Sequence, residues 1–259
     1  MMIKEIIKVI EEKFPKKMSE EWDNVGLLIG DLNNPVKKIM LTLDCTMDAI
    51  DKAIEEKVDL IIAHHPLIFS SIKTINTGTI LGKKIIKLIE NKIAVYGLHT
   101  NLDSSPEGLN SYIGEYLGFG SGRILEEKEL NGIAYGIGRF YKINSIEFEE
   151  LIKGIKNKLN LSHVSVVAPK ENKKITKLAI VNGSGANYWR MAKKMGAEVL
   201  ITGDVKYHEA LDAKEENMSI VDIGHYEGEI IYTDILENLL KNICENIIIF
   251  KGQPVFKNI

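Results

Sequence analysis

Two adjacent imidazoles, His64 and His65, close the apolar run LIIAHHP, and three later stretches repeat the theme. HTNLD brings His99 and Asp103, GDVKYH brings Asp204 and His208, and HYEGE brings His225 and Glu229. Neutral imidazole is a common ligand for zinc, iron, nickel and copper, and carboxylates add oxygen ligands or proton acceptors. His225 and Glu229 stand four residues apart and share one face if a helix begins there, a spacing that Asp204 and His208 repeat. Each feature alone has a plainer explanation. A lone buried histidine bonded to a carbonyl is commoner than a ligand, and Glu227 and Glu229 suit the dipole at a helix start. Their co-occurrence is less easily dismissed, because five of the six histidines and at least three carboxylates fall at predicted strand ends or on the helices just after them. Asn182–Asn187, NGSGAN, is read as a tight turn, since neither phosphate-loop fingerprint is complete.

The elements that must position these residues alternate along the chain. Ile3, Ile6, Ile7, Ile10 and Phe14 form a helical stripe. Strands are predicted near 39–43, 60–63 and 94–98, with helices near 47–56, 82–91 and 107–117. After a break at 118–122, the GIAYGIGRFYK segment, a helix and further strand-helix alternation lead to a last strand at 247–250. This pattern predicts an α/β fold with mixed, substantially parallel sheets, whose chemistry sits where loops leave the carboxyl ends of the strands. A repeat supports two related halves. Lys38 to His65 lies over Lys177 to Asp204 at an offset of 139 without a gap, and Val95 over Val221 at 126, which sets His99 on His225. The predicted halves are 1–125 and 126–259, with 226–259 packing back on the first, and a metal site between them.

Composition narrows the function classes. With 259 residues, 45% of them hydrophobic and 27% charged, the chain is long enough for a substantial core. A net charge of −3 with no basic run or interleaved aromatic stripe disfavours nucleic acid as the main ligand. Cys45 and Cys244 are too few and too distant for a disulfide framework or a zinc knuckle, which fits a reducing cytoplasm. No signal peptide or membrane-spanning run is evident.

EEWDNVGLLIG, LIIAHHP, GLHTNLDSSPEGLN, ITGDVKYHEALDA and GHYEGE, in this order and nearly the whole length of the chain, resemble the GTP cyclohydrolase I type 2 homologs, also called Nif-three-like proteins. The chain is similar to the short form, without the domain some members insert. The resemblance implies a dinuclear centre holding two divalent ions, iron, zinc or manganese, on His64, His65, Asp103, His225 and Glu229, with Asp103 or Glu229 as the bridging carboxylate. It implies that Asp204 and His208 stand beside the metals for proton transfer or orientation, and that Asp23 and Asn24 line the cleft. It also implies a homohexameric ring and hydrolysis of a nucleotide or related heterocycle, the family name suggesting water opening the guanine imidazole ring with release of formate. The other class left open is a metal-containing binding or regulatory protein for a protein or single-stranded nucleic-acid partner.

Overall fold

A computed structural model describes residues 1–169 and 173–256. The chain divides into two compact units, one formed by Met1–Ser105 with the chain from Tyr232 onward, the other by Pro106–Ile231.

In the first unit, helix α1 (Ile3–Lys13) buries the predicted stripe Ile3, Ile6, Ile7 and Ile10. Five strands follow the order β1-β4-β3-β2-β11, where β1 is Gly26–Ile29, β2 Ile39–Thr42, β3 Leu60–Ala63, β4 Ala94–Gly97 and β11 Ile247–Phe250. β11, β2, β3 and β4 run parallel, and β1 closes the edge antiparallel to β4. Every residue of β2, β3 and β4 is buried, which is why these strands read as unbroken apolar runs: both faces are covered. Helices α2 (Met47–Glu55) and α3 (Ile80–Glu90) start on the side-chain caps of Thr46 and Thr79. Their Ile50, Ala53 and Leu88 pack with Met40, Ile61 and Val95. Helix α10 (Tyr232–Leu240) packs against β2, and its buried Tyr232 phenol donates to the carbonyls of Thr42 and Ile62. Burial pushes the Tyr232 phenol well above its ordinary pKa, so it remains a donor. The short helix α4 (Thr100–Ser104) leaves the carboxyl end of β4.

The second unit begins with α5 (Leu109–Leu117), stopped by Gly118 at φ 90°. Six strands take the order β5-β6-β8-β9-β10-β7: β5 Arg123–Leu130, β6 Ile133–Glu147, β7 Ser165–Val167, β8 Lys174–Ile180, β9 Val199–Thr202 and β10 Ser219–Asp222. β8, β9 and β10 are parallel and the remaining pairings antiparallel. Helices α6 (Phe148–Leu159), α7 (Trp189–Lys194), α8 (Tyr207–Glu215) and α9 (His225–Glu229) complete it. Its core gathers Trp189 with Leu125, Phe140, Ala179, Leu200 and Ile220.

The sequence pattern places no strand at β1 or β5. β1 is a four-residue edge, and β5 carries RILEEKEL, a charged edge strand of the kind that resists pairing with other chains. The signal that could have revealed β5 is Asn131-Gly132, both at positive φ, joining Leu130 to its partner Ile133 in a two-residue hairpin.

Both units share one ladder pattern. Ile39 pairs with Leu60, and Leu178 with Val199, each equivalent pair separated by the offset of 139. The third strand departs from the alignment by one residue: Leu60 pairs with Ala94 and Val199 with Ser219, an offset of 125 (219 less 94). His99, the residue before α4, therefore corresponds to Gly224, the residue before α9, and His225 corresponds to Thr100. Alignment on the two histidines alone hid this shift. Among the described residues, no helix is long and apolar enough to cross a membrane.

Candidate metal centre

In the first unit the carboxyl ends of three neighbouring parallel strands deliver the site residues. His64 and His65 follow β3, His99 follows β4, and Asp44 lies just beyond β2. Ligand-capable nitrogens of His64, His65 and His99 all lie within 4.8 Å of one another. Each ring is oriented through Nδ1. His64 Nδ1 donates to the Leu98 carbonyl at 2.8 Å, His65 Nδ1 meets Asp44 Oδ1 at 2.8 Å, and His99 Nδ1 meets both Asp23 oxygens at 3.0 Å. A carbonyl can only accept, so His64 carries a proton on Nδ1. Buried Asp103, on α4, brings Oδ1 to 3.7 Å from His64 Nε2. Burial on its own would raise the Asp23 carboxyl; the hydrogen bonds from His99 and Thr100, with the His99 charge, outweigh it and hold the group below its ordinary pKa.

In the second unit, α9 carries His225 and Glu229 one turn apart. His225 Nδ1 meets Asp204 Oδ2 at 2.7 Å, and His225 Nε2 meets Glu229 Oε2 at 2.9 Å. With Nδ1–H donating to Asp204, Nε2 and Glu229 Oε2 stand acceptor to acceptor unless a proton or a bound cation lies between them. Asp204 reaches His225 from a left-handed backbone, φ 54°, which short polar residues tolerate better than most. Gly183, at φ 62°, lies so close to buried Glu229 that a Cβ there would run into Oε1. NGSGAN therefore needs glycine at Gly183, where the backbone comes close to a carboxylate.

The structure thus groups His64, His65 and Asp103 in one unit, and His225, Glu229 and Asp204 in the other. His208 is exposed on α8 with its ring edge-on to Tyr207, 5.3 Å between centroids. Two participants escaped the ligand set inferred from resemblance: His99 as a third clustered imidazole, and Asp44 as the acceptor behind His65. Asp44 is a polar residue at a strand's carboxyl end, and that position was the available signal. Cys45 beside it is no competitor. Burial pushes its thiol up to about 12, and it packs in the core.

The residues present fit divalent metal ions. Metal-binding histidines characteristically donate their second ring nitrogen to a carboxylate or backbone carbonyl, which fixes the tautomer and aims the other nitrogen at the ion. His64, His65, His99 and His225 all have Nδ1 so engaged.

Comparison with known proteins gives the family and the fold. A protein named GTP cyclohydrolase 1 type 2 homolog from Clostridium perfringens is 44% identical over 230 residues, covering 88% of this chain and 87% of that one. The crystal structure of a Staphylococcus aureus hypothetical protein, SA1388, superimposes with a TM-score of 0.90 at 31% identity, over 100% of this chain and 99% of that chain. Reduced HcgD from Methanocaldococcus jannaschii gives a TM-score of 0.83 at 32% identity, over 96% and 97%. The profile of the Duf34/NIF3 (NGG1p interacting factor 3) family matches residues 1–253, and the chain belongs to that family.

Proposed function

We propose that this protein holds two divalent ions, iron, zinc or manganese, on His64, His65, Asp103, His225 and Glu229, and hydrolyses a nucleotide or related heterocycle. The observation that carries this reading is the set of four imidazoles whose Nδ1 atoms are occupied by Leu98, Asp44, Asp23 and Asp204. The name of the Clostridium perfringens relative supports a nucleotide substrate. When bound, such ions lower the pKa of coordinated water and stabilise developing negative charge on the substrate.

The chain's own residues do the rest. Asp44 and Asp204 hold the tautomers of His65 and His225, so that Nε2 presents a lone pair. Asp103 and Glu229 contribute carboxylates, with two oxygens each to share, against buried surroundings that strengthen charge interactions. His208, exposed on its helix, is assigned to proton transfer, with Asp204 orienting. The same reading includes a ring-shaped homohexamer in the cytoplasm, which light scattering tests for mass.

The test is to reconstitute purified protein with iron, zinc or manganese and assay turnover of GTP and other nucleotides, beside His65→Ala, Glu229→Ala and His208→Ala. Turnover should vanish in the two ligand variants, together with metal. It should fall about 10²–10⁴-fold in His208→Ala with metal retained. Metal-loaded protein that turns over no nucleotide favours the second reading, a metal-containing binding or regulatory protein. The interaction named in the family's description is the observation that supports it.

A further inference from the structure

We propose that Trp22 and Phe69 form a stacking platform that holds a planar heteroaromatic ring, a nucleobase or a ring of that class, beside the histidine cluster. The proposal deepens the reading above and rests on it for the substrate class. Trp22 is 60% exposed and Phe69 54%, whereas Trp189, the other tryptophan of the chain, is 0% exposed in the core. Other aromatic side chains are exposed too, Tyr207 and Phe256 among them; what distinguishes Trp22 and Phe69 is that they stand against each other and that Trp22 stands against His99 of the cluster.

The exposed indole does not belong to a loose loop. Next to it, Asp23 accepts from His99 Nδ1, from the Thr100 amide at 3.0 Å and from Thr100 Oγ1 at 2.5 Å. The Glu20 amide donates to Thr100 Oγ1, and Asn24 Nδ2 donates to the Ile68 carbonyl, one residue before Phe69. Five hydrogen bonds thus tie the segment that carries Trp22 to the start of α4 and, through Asn24, to the residue before Phe69. Holding a binding surface rigid before the ligand arrives lowers the cost of binding it.

The position of the platform sets what it can do. Trp22 and Phe69 lie 5.8 Å apart between centroids at 53°, forming a bent wall. Trp22 meets His99 edge-on at 6.1 Å, and His99 is 5.3 Å from His64 and 5.7 Å from His65. A flat ring lying on the indole is therefore a neighbour of His99, the ring of the cluster that Trp22 meets. Every nucleobase offers a π-face, so such a wall grips the ring without reading its identity. That suits a protein whose chemistry falls on a ring carbon or an attached group, and it explains why an aromatic pair stands where an aliphatic patch would serve for packing alone.

The test uses the full chain, with GMP, AMP and UMP as probes and ribose 5-phosphate as the ring-free control. Trp22 is the solvent-facing fluorophore, so a nucleotide should quench the wild-type emission and shield it from iodide, and ribose 5-phosphate should do neither. By calorimetry, Trp22→Ala should weaken nucleotide binding about ten- to a hundredfold, Trp22→Phe should keep most of it, and metal content should stay unchanged in both. Equal binding by wild type and Trp22→Ala overturns the proposal, as does binding of no nucleotide or equal binding of ribose 5-phosphate. An indole already shielded from iodide without ligand, with a lower oligomer mass in Trp22→Ala, overturns it in favour of a contact with a second copy. Quenching by all three nucleotides but not by ribose 5-phosphate, without turnover, supports the platform while removing the hydrolase. Turnover with an unchanged KM in Trp22→Ala removes the platform while keeping the hydrolase.

Discussion

Asp44 shows how much of the proposed metal centre lies outside its candidate ligands. It is half exposed and close to no candidate ligand in sequence, yet its carboxylate sits 2.8 Å from His65 Nδ1. Replacing it with alanine removes the acceptor that favours the Nδ1–H tautomer of the ring. Asp44→Ala should lower metal affinity about 10–100-fold, measured by competition with a chromophoric chelator. Affinity equal to wild type would remove Asp44 from the site. The histidines and carboxylates were legible because LIIAHHP, HTNLD and HYEGE carry them in compact stretches. Their pairings were not: Asp44, Leu98 and Asp23, the last expected only to line the cleft, lie 21, 34 and 76 residues from the histidines they orient. Local spacing cannot report such pairings, which exist only once neighbouring strands bring their ends together.

At the scale of elements, the two units repeat a second polar device at the opposite ends of their strands. Asp59, just before β3, accepts from the amides of Lys37 and Lys38; Glu198, just before β9, accepts from those of Thr176 and Lys177. The offset is again 139, and both carboxylates tie off amides where one strand begins beside the next. Burial would raise the Glu198 carboxyl, but the bonds from Thr176 and Lys177 and the charge of Lys173 hold it below its ordinary value of 4.5. A depressed carboxyl pKa gives stability that is complete above the ordinary value and is lost as pH falls through the folded one. Denaturation midpoints of the wild type should therefore drop below about pH 4.5, and Glu198→Gln should be less stable at pH 7 with a shallower acid slope. Parallel slopes for the two proteins would contradict that account. The parallel strands and amphipathic helices were visible in the sequence because burial imposes long apolar runs and 3.6-residue stripes. β1 and β5 were not, because an edge strand that is short or charged has little to bury. The one-residue shift between His99 and His225 has a different origin: it is fixed by backbone pairing, which side-chain identity does not encode.

For the molecule as a whole, fold and family follow from both sequence and structure, and metal binding is the claim on which the functional reading stands. Ions that bind only the folded chain stabilise it by about 2.7 kcal/mol at a hundred times Kd, so chelation should lower the Tm and reconstitution should restore it. A protein whose Tm ignores chelator would carry its histidines for another purpose. The most direct measurement is metal per chain, by plasma mass spectrometry, after reconstitution with iron, zinc or manganese and removal of loose ions, for the wild type beside His64→Ala and Glu229→Ala. The account predicts about two ions per chain in the wild type and a clear loss in each variant. Fewer than about one ion per wild-type chain with every metal, or variants loaded like the wild type, would contradict it.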